Sequence, residues 1–262
     1  MGRRLAQWLV VDLPLLLAGG VVVLGASVLG GVTGFGFSLV CAPLLLLAGF
    51  PLADVVVVNL TIAGTTRLAT VVRLRHFVNR RRAGWLVAGC VPGLLVGFLV
   101  RDAVDDAVLK IVAGGIAVLV AAYLLFRPPA PRPADAGPPP RLQSGVAGVL
   151  GGFLGITTSL NGPPPVILLS RQRAEQREFV ADMAVYLIVG NGLALLLIHL
   201  GGGLALDRLG LLLACWLPVA LLGNAVGLVY GSRLPAELFR VLTLCLVMVT
   251  GLATVVTTLA AL

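Results

Sequence analysis

Residues 152–170 read GFLGITTSLNGPPPVILLS, an apolar stretch that carries three hydroxyl residues and three consecutive prolines. Proline inside a helix removes a donor and clashes with the preceding turn, so no regular helix runs through this segment. A second stretch has the same character. When GGVTGFGFSLVCAPL (residues 30–44) is laid on GGFLGITTSLNGPPP (residues 151–165), Gly30, Gly31, Gly34, Ser38, Leu39 and Pro43 meet Gly151, Gly152, Gly155, Ser159, Leu160 and Pro164 at one offset of 121.

The chain around these breaks belongs to a membrane. Of its 262 residues, 59% are hydrophobic and 11% charged, with a mean hydropathy of +1.06, against about 25% charged in an ordinary soluble domain. Apolar runs cover approximately residues 13–49, 52–72, 83–100, 107–126, 143–170, 180–200, 209–230 and 239–262. Most are near the roughly 20 residues that cross a bilayer as helix, and lipid requires every backbone amide to find an internal partner. The expected fold is therefore an all-α polytopic membrane protein. Its positively charged start, MGRRLAQW, is read as leading into a retained first membrane element, because the apolar run goes on to Phe50, far past a signal-peptide core of about 7–15 residues. The net charge of +8 comes from arginines in short loops, where membrane orientation accounts for them. Membrane lipid, not nucleic acid, is the partner that this charge implies.

The segment RPPAPRPADAGPPPR (residues 127–141) is too proline-rich for helix and too polar for burial, so it reads as a linker. It divides the chain into a first repeat half, 1–126, a linker, 127–142, and a second half, 143–262. Further matches keep the same order: Ala53-Asp54 with Ala181-Asp182, Pro92 and Gly97 with Pro218 and Gly223, and DDAVLKIV with AELFRVLT in pattern. Paired halves with a Gly- or Pro-broken segment at corresponding positions characterise transporters, with the substrate between the halves. Simple hydropathy gives eight spans, and ten elements result if each broken segment doubles back. The ten-element arrangement makes the halves inverted repeats and places more Lys and Arg on the cytoplasmic side, so it is favoured. Both arrangements put RLRHFVNRRR (residues 73–82) in the cytoplasm.

A broken helix is tolerated at membrane depth where it faces protein or a cavity that a ligand can use. Half-helices starting near Pro43 and Pro163 direct amides and a partial positive charge at an anion, and Gly34, Gly36, Gly155 and Gly162 let it approach the backbone. Thr33, Ser38, Thr157, Thr158, Ser159 and Asn161 add neutral donors, suited to a substrate that must leave again. Small and hydroxyl residues also serve close helix packing, which is the reading preferred for Gly30, Gly31, Gly151 and Gly152. Arg67 lies inside an apolar span, where it is either the fixed positive charge of the site or a side chain snorkelling to the interface. Asp54 and Asp182 recur at the start of matching spans and read as helix caps or, more sharply, as proton-coupling groups. Asn59, Asn191 and Asn224 are glue between helices or ligands in equal measure. Trp8, Trp85 and Trp216 read as interfacial anchors, and His199 as interfacial. Cys41, Cys90, Cys215 and Cys245 stand singly and read as packing residues, with no metal or cofactor site.

These residues carry a resemblance. The chain resembles the sulfite exporter TauE/SafE family, whose halves each open with a glycine-rich broken segment ending in proline and close on a pattern like LPAELFRVLTLCLVMVTG. The likeness runs from about Val22 to the C-terminus. Where the family has a triple-glycine run, this chain has Gly34, Phe35, Gly36 and Phe37 in one half and Gly155, Ile156, Thr157 and Thr158 in the other. The resemblance implies transport of small sulfur-containing anions, such as sulfite, sulfonates and sulfoacetate, across the cell inner membrane. Without a nucleotide-binding loop, transport is passive or coupled to an ion such as a proton or sodium. An intramembrane hydrolase using Ser38 or Ser159 with His199 lacks a nucleophile elbow and leaves the duplication without a role. A membrane scaffold leaves the paired breaks without one.

Overall fold

The computed structural model describes residues 13–34, 36–101, 103–126, 141–172, 175–202, 206–230 and 236–260. The linker expected at 127–142 therefore falls almost wholly outside the described residues, as does Trp8. Within them the chain is all-helical. The first five helices are α1 (Leu13–Thr33), α2 (Gly36–Leu47), α3 (Leu52–Leu74), α4 (Arg80–Arg101) and α5 (Asp106–Phe126). The second five are α6 (Arg141–Thr158), α7 (Pro163–Arg171), α8 (Gln176–Leu200), α9 (Leu206–Tyr230) and α10 (Ala236–Ala260), and a short 3₁₀ turn, Arg75–Phe77, follows α3. Among the described residues six segments are long and apolar enough to cross a membrane: five within α1, α4, α5, α8 and α9, and one formed by α3 with the turn that follows it. The ten helices among the described residues are the number expected when each broken segment doubles back. In the first half the return is visible: a Cβ on Gly19, in the second turn of α1, would lie 3.2 Å from the Phe50 ring just beyond α2. With 12 and nine residues, α2 and α7 rise roughly 18 and 14 Å, too little to cross a hydrocarbon core of about 30 Å.

Exchanging the first five helices for the second five preserves the main pairings. Helix α4 lies along α6 as α1 lies along α9; α4 meets α8 as α9 meets α3; α1 meets α2 as α6 meets α7; and α3 with α8, and α5 with α10, pair across the exchange. Glycine makes the longest seams. Gly89 and Gly93 of α4 lie against the carbonyls of Gly145 and Val149 on α6, and Gly148 and Gly152 return the contact against Leu86 and Cys90. On the other side Gly31 lies against the Asn224 carbonyl and Gly227 against that of Val28. In lipid, where apolar burial drives little association, such close backbone approach supplies the dispersion energy that holds helices together. Trp216, expected at the interface, is instead 2% exposed; it fills the space left by Gly19 and Gly20, meets Phe50 edge-on at 5.2 Å and donates its indole N–H to the Leu16 carbonyl at 3.0 Å. A buried tryptophan needs such a partner, and the unpaired glycines of α1 make the room.

Asp182 is also placed otherwise than a capping role requires. It lies in the second turn of α8, fully buried, and accepts the Asn79 amide at 2.8 Å and the Arg82 Nε at 2.5 Å. Arg82 reaches Glu178 at 3.2 Å as well, and Asn79 caps α4 by accepting the Arg82 amide at 3.1 Å. Asp54 does lie in the first turn of α3, although the residue at the cap position there is Pro51.

Two outcomes follow from these contacts. Gly148→Ala puts a methyl into the Leu86 carbonyl and is expected to cost about 1–3 kcal/mol, lowering the thermal unfolding midpoint in detergent; Gly145→Ala, with open space at its Cβ, leaves the midpoint where it is. Arg82→Met strands the Asp182 carboxylate and is expected to cost about 3–5 kcal/mol, most of it recovered in the Arg82→Met, Asp182→Leu double variant. A double-mutant cycle on detergent-solubilised protein measures both.

Candidate functional site

Each broken element ends its first helix on a residue in the left-handed region: Gly34 at φ 84° and Ser159 at φ 60°. Their amides close the last turns, Gly34 onto the Gly30 carbonyl at 2.9 Å and Ser159 onto that of Gly155 at 3.0 Å. By this measure Gly34 corresponds to Ser159, one helical turn beyond the Gly155 with which the sequence register pairs it. The glycine pattern matched helix interiors, whereas the backbone geometry marks where the helices stop. Ser159 is the one non-glycine residue with positive φ among those described, a conformation that costs on the order of 1–3 kcal/mol and clusters at functional sites. It is held there: its hydroxyl accepts Asn59 Nδ2 from α3 at 3.0 Å.

The two half-helices that follow differ in what they offer. Helix α2 starts at Gly36, and Pro43 lies well inside it, so the expectation of a helix start near Pro43 is corrected. The amides of Phe37 and Ser38 in its first turn have no partner within their own helix. Helix α7 does start at Pro163, but Pro163, Pro164 and Pro165 occupy its first three positions and carry no N–H. This explains the three prolines of the opening stretch. A helix N-terminus buried in the protein would leave orphan donors, and proline at these positions has none to leave. The expectation that α7 directs amides at a ligand is thereby overturned.

Both breaks line one small cavity, with Phe37, Ser38 and Leu39 from the first, Leu160, Asn161, Gly162 and Pro163 from the second, Ala63 and Arg67 from α3 and Leu187 from α8. Arg67 is 1% exposed and turns inward, which removes the snorkelling reading. Its Nη2 donates to the Gly30 carbonyl at 2.9 Å, at the C-terminal end of α1 where a cation is favourable. Its Nε and Nη1 are buried with no hydrogen-bond partner among the described residues. Asn161 donates to Asn191 Oδ1, and Asn191 donates to the Leu60 carbonyl at 3.1 Å, tying the second break to α8 and α3.

The remaining sequence candidates divide. Ser38 and Gly162 face the cavity. Gly155 makes room for Asn161, whose Cβ would lie 2.9 Å from a Cβ there, and Gly34 faces Val180 of α8. Gly36 opens α2, and Thr33 closes α1, its side chain lying outside the described residues. Thr157 and Thr158 donate to the carbonyls of Phe153 and Leu154, each at 2.8 Å, so their hydroxyl protons serve their own helix. Of the residues read as packing glycines, Gly31 and Gly152 lie in interhelical seams, whereas Gly30 adjoins Phe37 and Arg67, and Gly151 adjoins Tyr186 and the Asn161 carbonyl. His199 is exposed in the last turn of α8 and is not hydrogen-bonded to either serine among the described residues. Sequence reasoning did not connect Asn59 with Ser159, nor Arg82 with Asp182; each pair spans 100 positions, and the charge in RLRHFVNRRR was absorbed by orientation alone.

No curated protein and no solved structure matches this chain. The sulfite exporter TauE/SafE family profile matches residues 18–254, a span that contains both broken elements, the cavity and every helix that lines it, and the chain belongs to that family of membrane transporters.

Proposed function

We propose that the chain is a permease for small anions, specifically sulfur oxyanions such as sulfite or organosulfonates, which bind in the cavity between the two breaks. The observation that carries this reading is Arg67: a buried guanidinium with two unpartnered donor nitrogens in an otherwise uncharged cavity. A charge in this position is costly unless a ligand answers it. The Phe37 and Ser38 amides at the α2 terminus add the dipole of a helix start beside it, and the site draws Ser38 and Asn161 from opposite halves. The preserved helix pairings support two inverted repeat halves, 1–126 and 143–262, in a multi-pass inner-membrane protein. Flux is passive or coupled to a proton or sodium ion.

The test is uptake of radiolabelled sulfite into proteoliposomes, with sulfate, taurine and sulfoacetate as competitors. Arg67→Gln keeps a donor for the Gly30 carbonyl but removes the charge; it is expected to lower saturable flux on the order of 10- to 100-fold. Thr158→Val, whose hydroxyl is spent inside α6, is expected to retain flux within about twofold of the parent. Equal flux in the parent and the Arg67→Gln variant would remove Arg67 from the pathway.

A further inference from the structure

We infer that the cavity takes its ligand as a monoanion and rejects a dianion of the same shape. This rests on reading the Arg67 cavity as an anion site and adds the charge state that the site selects. Arg67 is the one charged residue lining the cavity. Among the described residues, the other fully buried charges are Arg82 and Asp182, which neutralise each other, with Glu178 beside them. The other polar groups that line the cavity are neutral: the Ser38 hydroxyl, the Asn161 amide and backbone. One negative charge therefore cancels the field of the cavity. A second would leave a net charge as large as the one it began with, now of opposite sign, beside a side chain that is itself 1% exposed. Neutral dipoles orient an oxyanion but supply no second unit of charge. Arg67 keeps Nε and Nη1 without partners, donors on different edges of the guanidinium that can each meet an oxygen without adding any charge beyond the single one they share. For sulfur oxyanions this selects hydrogensulfite or a monosulfonate over the sulfite or sulfate dianion, and it makes the loaded site electroneutral.

Methanesulfonate and methylphosphonate test this, since they share shape and differ in charge: the sulfonate stays a monoanion, whereas the phosphonate passes from monoanion to dianion near neutral pH. Binding of each to the full chain in lipid nanodiscs is followed by thermal stabilisation on either side of that ionisation. The expected result is comparable affinity in acid and an affinity for methylphosphonate weaker by about tenfold or more in base, with methanesulfonate unchanged. Equal affinities in base, or tighter binding of the dianion, would overturn the inference while leaving the anion site standing. Binding of neither anion at either pH would overturn both. Arg67→Gln is expected to lose methanesulfonate binding; because the ratio of the two anions is read on the parent protein, the test survives if this variant fails to fold.

Discussion

A helix that stops inside a membrane protein must dispose of the amides and carbonyls it leaves unpaired, and the site is built from how the two breaks meet that requirement. At the first, the α1 carbonyls end at Gly30, whose oxygen accepts both the Gly34 amide and the Arg67 guanidinium. At the second, donors are removed instead of paired, because the chain that opens α7 is three prolines with Ser159 pinned by Asn59 just before them. Two solutions to one backbone problem place different chemistry on the two sides of the cavity.

The consequence is an asymmetric site in a nearly symmetric packing. The first half supplies the charge and the first-turn amides of α2; the second supplies Asn161, Gly162 and a proline wall without backbone donors. A strictly two-fold site would place a second cation opposite Arg67 and double the cost of keeping the cavity desolvated. With one cation, the neutral amide of Asn161 lines the same cavity without any counter-charge from the protein.

What the sequence discloses follows from which forces are local. Apolar run lengths, the proline break and the recurrence of glycine are local, so the helical membrane class and the presence of a helix break in each half were legible. Register was less so. Glycines recur in α1 and α6 because both helices press against partners, and these packing glycines, not the helix ends, dominated the alignment, leaving Gly34 paired with Gly155 where the backbone pairs it with Ser159. Side-chain direction was not legible at all. Arg67 could equally have pointed to water, and only its bond to the Gly30 carbonyl of α1 shows it turned inward; Thr157 and Thr158 look like ligands in sequence until their rotamers spend them on Phe153 and Leu154. Trp216 shows the same limit, since an amphipathic ring inside a span is anchor or core according to whether a glycine faces it.

The packing also separates the halves of the sequence from the bodies of the fold. Helix α4 lies along α6 and α8, and α9 along α1 and α3, so each half lends a helix to the other. Grouped around the two breaks, α1, α2, α3 and α9 lie on one side and α4, α6, α7 and α8 on the other, with α3 packed along α8 between them and α5 and α10 paired across them. Arg82 and Asp182, though 100 positions apart, then lie within one body, as do Asn161 and Asn191; Arg67 and Gly30 lie within the other. The side-chain hydrogen bonds that cross between the bodies, Asn59 to Ser159 and Asn191 to the Leu60 carbonyl, both join α3 to the far side of the cavity. Hydrogen bonds of this kind in membranes are worth about 0.6–2 kcal/mol each, and here they add to the packing of α3 along α8, which joins the two sides. The cavity lies on this α3–α8 boundary, lined by Ala63 and Arg67 from one side and Leu187 from the other, so the groups around it are held from both sides at once.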